Sequence, residues 1–328
     1  MTLVRVTRRL AWLATILTVA AGCDKAHASG RAAREPAIAP GETLDLAAHP
    51  DILFEVFGDA NDPRMIPLAA IQNGTLRRIV LPSQGWRRFD TMYLHAGTSY
   101  PLYDNGLATG TVEIRRGMWE GSDDPLYSLP GCHLLTPLAA VRLQGAAARA
   151  TFTVEYLAST AQLGRRHEAK TLSPDEVSRI ARDIAAATAK AAGIRSTTLD
   201  SLDFHAIAFP TGVSPWPTII AAFIDPAAEN PASTSVNTTH LLVIADRDST
   251  ASAYHATFTH RVDGPLQSAT FRRYFDHLDV TGDGVDEILL EGWQFGGDTY
   301  LAVMGWNGAS WQQVYRTRAK WCLEEKQR

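Results

Sequence analysis

Cysteine is scarce, with three residues in a chain of 328. That is too few to staple a protein of this size, so a hydrophobic core has to hold it together. No apolar run reaches the roughly 20 residues that a membrane-spanning helix needs, which excludes a polytopic helical membrane protein. Positive charge is not in excess. The 31 lysines and arginines stand against 35 aspartates and glutamates, for a formal charge of -4 and a pI near 6.2. Nothing here is the electrostatic footprint of a nucleic-acid binder. The catalytic signatures Gly-x-Ser-x-Gly and His-Glu-x-x-His, the Walker loop and the Rossmann glycine pattern are all missing. What remains is an ordinary globular composition, 45% hydrophobic and 20% charged with 9% aromatics, which fits one or two domains.

The N-terminus carries an address. Arg5, Arg8 and Arg9 precede an apolar run from Leu10 to Gly22, the layout of a secretory signal peptide over residues 1–22. Ala20-Ala21-Gly22-Cys23 resembles the lipobox of bacterial lipoproteins, matching at Ala21, Gly22 and Cys23 and departing at Ala20. The resemblance implies lipidation of Cys23 and anchorage to a membrane on the periplasmic side of the cell envelope. Ala26-His27-Ala28 offers the alternative, ordinary small-x-small cleavage that releases a soluble periplasmic or secreted protein. Removal of residues 1–22 takes three arginines and no acid, so the mature chain is the more acidic and has no basic face for anionic lipid. Residues 23–44, with Gly30, Pro36, Pro40 and Gly41 among alanines, read as a flexible tether.

Either route leaves Cys132 and Cys322 as the remaining pair. In an oxidising compartment two thiols tend to join, and such a bridge would close nearly the whole mature chain. The chain-entropy contribution would be about 4–5 kcal/mol. Two separate buried thiols are the other reading.

From 45 to 160 the signals are β. Asn73-Gly74 and Asp104-Asn105-Gly106 mark hairpins, and Phe152, Val154 and Tyr156 alternate with polar residues, predicting an antiparallel sheet with one buried face. Residues 161–200 hold a helical connection. Ser173 caps it, Pro174 opens it, Glu176 completes a capping box and Gly193 ends it. Its apolar stripe runs through Val177, Ile180, Ala181, Ile184, Ala187 and Ala191, a core contact rather than a partner site. Residues 201–320 return to strands, with residues 226–239 as an exposed loop and a hairpin at Asn307-Gly308. The expected fold is α+β and predominantly antiparallel β, two β-rich parts joined by one long helix.

One motif carries chemistry. Asp279-Val280-Thr281-Gly282-Asp283-Gly284-Val285-Asp286-Glu287 places oxygen groups at positions one, three and five and glycine at six, as a calcium loop requires. Asp279, Thr281, Asp283 and Glu287 would offer side-chain oxygens and Val285 its carbonyl. An EF-hand is disfavoured, because position twelve is Leu290 and strand-like sequence flanks the loop. The segment resembles the short calcium loop of FG-GAP and VCBS repeats, the blade of integrin-α propellers, through Asp279, Asp283, Gly284 and the following Glu287-Ile288-Leu289-Leu290. Thr281 and Glu287 depart from that pattern. The resemblance implies a structural Ca2+ ion, a blade-like C-terminal sheet, and service in adhesion or ligand binding. It occurs once, over residues 271–316, so a full propeller is not expected. Without an ion the same residues make a tight acidic turn held by Asx-type hydrogen bonds.

Histidines are scattered. His255 and His260 would face opposite sides of a strand, as individually satisfied residues rather than shared metal ligands, while Asp203 and His205 would share a face. Trp86, Trp119, Trp293, Trp306 and Trp311 lie near glycines or turns, as strand-end anchors or, if exposed, as a platform for a glycan or protein partner. The function implied is an exported, lipid-anchored, non-enzymatic binding protein; the alternative is a periplasmic hydrolase. Mass spectrometry of the mature protein checks the address. A diacylglyceryl mass on Cys23 is expected, whereas a free N-terminal Ser29 would establish the soluble alternative.

Overall fold

The computed structural model describes residues 42–119, 138–194, 196–230, 232–247, 253–297, 299–317 and 324–325. The chain is mostly antiparallel β. Its first part comprises β1 (Asp51–Asp59), β2 (Arg64–Gln72), β3 (Thr75–Arg77), β4 (Val80–Leu81), helix α1 (Ser83–Tyr93), β5 (Ser99–Asp104), β6 (Leu107–Arg116), β7 (Ala139–Gly145) and β8 (Thr153–Ser159). The strand order β1-β8-β5-β6-β7-β2 is closed by direct pairing of β1 with β2. The sheet is therefore a six-stranded barrel, with β3 attached to β2. Closure removes the edges that an open sheet would have to protect.

Local chemistry explains the hairpins. Asn73 and Gly74 take φ of 50° and 68°, and Asn105 and Gly106 take 50° and 72°, the left-handed pair that a two-residue turn needs. Ile52, Phe54 and Val56 of β1 alternate into the barrel with Val112 and Ile114 of β6 and Val141 and Leu143 of β7. Helix α1 completes that core with Trp86, Phe89 and Tyr93, and the hydroxyl of Tyr93 donates to the carbonyl of Pro50 at 2.8 Å.

Two expectations are corrected here. The sheet has no single buried face. Leu53, Ala69, Tyr103 and Leu157 on the barrel exterior are covered as well, while Phe152 lies just before β8 and is 81% exposed. Helix α1 stands where the sequence predicts strands, so Trp86 is a helical core residue and not a strand-end anchor.

The second part begins with α2 (Pro174–Ala191) and α3 (Ser196–Leu199). The capping box forms: Ser173 Oγ accepts from the Glu176 N–H at 3.3 Å and Glu176 Oε2 accepts from the Ser173 N–H at 2.8 Å. Val177, Ala181, Ala185 and Ala189 are the buried stripe. Ala187 and Ala191, expected in it, are exposed, because the sheet beneath the helix is met along the i, i+4 row from Val177 to Ala189.

That sheet contains β9 (Asp203–Phe209), β10 (Thr218–Ile224), β11 (Asn237–Asp246) and β12 (His255–Pro265), in the order β12-β11-β10-β9. Strand β11 starts inside the segment expected to be loop. A second sheet runs β13 (Thr270–Leu278), β14 (Glu287–Gln294), β15 (Thr299–Trp306) and β16 (Trp311–Arg316) as a meander. A short β17 (Glu324–Glu325) pairs in parallel with β4.

The layers stack in a fixed sequence. Helix α2 covers the outer face of β9–β12 through Ile219, Ala221, Phe223, Leu241 and Val243. The inner face, with Ile220, Ile244 and Leu242, meets Phe271, Ile288, Leu290 and Met304 of the meander. The meander's other face, with Leu278, Leu289, Leu301 and Val303, packs on the barrel exterior. Trp311 is buried in the sandwich, and Trp293 and Trp306 are half-buried against it. Trp119 is half-buried against the barrel core, so none of the five tryptophans forms a free platform. Phe89→Ala is expected to cost about 3–5 kcal/mol in urea denaturation, since the ring is fully buried, while Phe152→Ser should stay within about 0.5 kcal/mol.

Candidate functional site

The 279–287 segment joins β13 to β14, the first two strands of the meander. Gly282 and Gly284 adopt φ of 77° and 91°, which only glycine takes without strain. They let the chain fold back over the Asp279 carboxylate. Its Oδ1 accepts from the Gly282 N–H at 2.7 Å and its Oδ2 from the Gly284 N–H at 3.1 Å. From the far end of the loop, Glu287 Oε2 accepts from the N–H groups of Val280 and Thr281 at 2.9 and 3.2 Å. Its Oε1 accepts from the Thr281 hydroxyl at 2.8 Å. Asp283 accepts from the Val285 N–H at 2.9 Å.

Asp279, Thr281 and Glu287 are thus brought together, while Asp283 remains at the surface and Val285 presents its N–H. Burial pushes the Glu287 carboxyl up to about 7, against the pull of its hydrogen bonds with Thr281 and Val280. The donor set has the hard-oxygen chemistry of a calcium loop. Its carboxylates are spent on the loop's own N–H groups, and among the described residues no three acid, histidine or cysteine groups are gathered as metal ligands.

Beneath the loop lies a polar network that sequence reasoning missed. Asp286 is 1% exposed and accepts from His167 Nε2 at 2.8 Å. Its other oxygen lies 3.8 Å from His277 Nε2. His277 Nδ1 is 2.7 Å from the Tyr274 hydroxyl, and the Phe209 ring stacks on the imidazole at 4.1 Å. Asp276 Oδ1 accepts from the N–H groups of His277 and Gly106 at 2.7 and 3.3 Å.

Burial, and then the neighbouring His167, hold His277 down at about 4, so its imidazole is neutral near pH 7. The Tyr274 hydroxyl then donates to Nδ1, which leaves the ring proton on Nε2 facing Asp286. Burial lifts Asp276 to about 7 and Asp286 to about 6.

The network joins three parts of the chain: the Asn105-Gly106 turn of the barrel, the 160–172 linker and the sandwich. Close approaches around it depend on glycine. A Cβ on Gly106 would stand 2.7 Å from His277 Nε2 and 3.1 Å from Asp286 Oδ2, and one on Gly212 would meet the Gly284 carbonyl and the His167 ring at 2.7 Å. Asp286 itself was visible inside the motif. His277 stands two residues before the loop, and His167 has no local signal because its partner is 119 positions away.

Tyr274 also borders a groove of about 350 Å³ between the edge strands β9 and β13. Ile207, Ile220 and Ile224 form its floor, with His205, Glu229 and Arg273 at its rim. His205 and Asp203 lie on one side of β9, while His260 lies on the inner face of β12 and donates to the Thr270 carbonyl at 2.9 Å. Cys23, Cys132 and Cys322 lie outside the described residues, so neither the lipidation site nor the pairing of the two later thiols falls within the geometry above.

Gly106→Ala is expected to destabilise the protein by about 2–4 kcal/mol, through both the clash and the left-handed backbone. Gly97→Ala, at φ of 87° with open space around it, should cost only about 1 kcal/mol. Urea denaturation of the two variants separates clash from strain. No protein-family model, no characterised protein and no solved structure matches the chain.

Proposed function

We propose that this is an exported, lipid-anchored, non-enzymatic protein of the cell envelope, whose layered body presents the groove between β9 and β13 to a protein or glycan partner. One observation carries the reading. The groups with catalytic chemistry are matched with one another, Tyr274 with His277 and Asp286 with His167, and of the four it is Tyr274 that lines the groove, beside Ile207, Ile220 and Ile224. A reactive centre would instead aim such groups at a space where a substrate atom could sit.

The 279–287 loop belongs to this reading as a structural calcium site. It joins the first two strands of a four-stranded meander, as the loop of an FG-GAP blade does. Asp279, Thr281, Asp283 and Glu287 would hold the ion, with the Val285 carbonyl, and bound calcium would supply the positive charge that these clustered acids lack. The loop closes on itself by hydrogen bonds, so an ion would add stiffness to an existing turn.

The second reading, a periplasmic hydrolase, is favoured by the chain Tyr274–His277–Asp286–His167, where a hydroxyl, two imidazoles and a carboxylate line up. Tyr274→Phe would abolish the activity of such an enzyme, whereas in a binding protein it alters only groove affinity and stability.

Calcium supplies the direct test. At 1 mM ion and an affinity near 10⁻⁴ M, the linkage gain is about 1.4 kcal/mol, or about 3–5 °C in Tm for a domain of this size. Thermal melts with calcium and with chelator should differ by that amount, and Asp283→Ala should remove the difference. Equal melting temperatures for the unsubstituted protein would leave an ion-free turn.

A further inference from the structure

Contacts between the two sandwich sheets are almost wholly apolar, and their polar ties are correspondingly few. Trp311 Nε1 on β16 donates to Asp246 on β11 at 2.8 Å. Two further ties among the described residues come from histidines. His240 on β11 donates from Nδ1 to the Phe223 carbonyl of β10 at 3.0 Å, and its Nε2 accepts from the backbone N–H of Arg272 on β13 at 3.1 Å. His260 on β12 donates from Nε2 to the Thr270 carbonyl of β13 at 2.9 Å. Both histidines thus cross from one sheet to the first strand of the other.

The bonding at His240 permits one protonation state. A carbonyl on one side and an N–H on the other require a neutral ring with its proton on Nδ1. A second proton on Nε2 would set an N–H against the N–H of Arg272, which turns a hydrogen bond into a repulsive contact. The two imidazoles lie 5.4 Å apart between centroids, and His240 is fully buried.

The titratable and charged groups that face the pair are each other and Arg272. Arg272 in turn donates to Gln313 on β16 and lies 6.0 Å from the Tyr300 ring on β15. Asp263 of β12 engages Thr239 instead. Three cations would therefore meet inside an apolar interface if both rings were charged.

We infer that His240 and His260 form an acid-released latch that holds the β9–β12 sheet, with its helix α2, to the meander. Burial foremost, then the positive neighbours, depress His240 to about 3 and His260 to about 4. Their folded values lie below the ordinary 6.5 of an unfolded histidine. Their contribution is therefore fully present above about pH 6.5 and lost as pH falls toward 4, because the opened state binds more protons.

At the barrel junction the buried acids Glu55, Asp276 and Asp286 respond in the opposite sense, against His277, which is held down at about 4. There Glu55 is buried and raised well above its ordinary value by burial, then by Glu155 and Glu291, so acid favours that contact. With three raised carboxyls against one depressed histidine at the barrel junction, mild acid should open the sandwich before it unseats the barrel from the meander.

Hydrogen exchange on the full mature chain, corrected for intrinsic rates, tests this. Between pH 7.5 and 4.5, amides of β10, β11, β12 and α2 should lose at least tenfold in protection and regain it on neutralisation, while β1 and β8 hold theirs. His260→Gln keeps a donor for Thr270 without a titrating charge, and should move the opening midpoint down by about half a pH unit or more. An unchanged midpoint in a variant folded at pH 7.5 by near-UV circular dichroism overturns the latch. Should that variant fail to fold, NMR titration of the unsubstituted protein decides. Rings that stay neutral until exchange protection is lost support the latch. Rings that ionise near pH 6.5 with β10–β12 still protected refute it.

Discussion

A β-sheet with two apolar faces has to be covered on both, and the β13–β16 meander is such a sheet. Leu289, Leu301 and Val303 face the barrel while Ile288, Leu290, Ala302 and Met304 face the other sheet. The rest of the architecture follows from covering it. The barrel buries one side and the β9–β12 sheet the other. That second sheet is itself apolar on both faces, so it needs α2 over its exterior. The order of layers is thus set by which surfaces cannot be left in water.

Deep burial makes polar groups at the strand ends expensive unless they find partners. The meander meets this demand in three ways. At the 279–287 loop, Asp279 and Glu287 satisfy the backbone N–H groups of a turn that has no neighbouring strand to satisfy them. At the barrel junction, Asp276 and Asp286 are matched with backbone and histidine donors. Across the sandwich, His240 and His260 take up backbone groups of β13. Each device includes a group whose ionisation burial opposes: Glu287 at the loop, Asp276 and Asp286 at the junction, and the two histidines across the sandwich.

Much of the local structure could be read from the chain. The Ser173-to-Glu176 capping box, the Asn73-Gly74 and Asn105-Gly106 turns and the acidic turn at 279–287 are short-range devices, with every atom within a few residues. The Ala187 and Ala191 positions failed because helical periodicity alone leaves the stripe's direction open to the surface beneath it. Helix α1 was overlooked although Trp86, Phe89 and Tyr93 stand at helical spacing, since Pro82 provides no side-chain cap and the surrounding signals are all β. In the candidate site, Asp279, Thr281 and Glu287 were legible from their spacing. His167, Tyr274 and His277 were not, because their partners come from other strands and the linker.

What the sequence by itself determined is the set of turns, the capped helix and the acidic loop, all of which depend on neighbours in the chain and on backbone preferences. Only the tertiary structure decided that the first sheet closes into a barrel, that the meander is buried on both faces, and that two histidines, two aspartates and Tyr274 form one network. Closure and burial depend on pairings between residues more than a hundred positions apart, such as Leu53 with Ser159, and hydrophobic alternation is the same for an open sheet and a closed one.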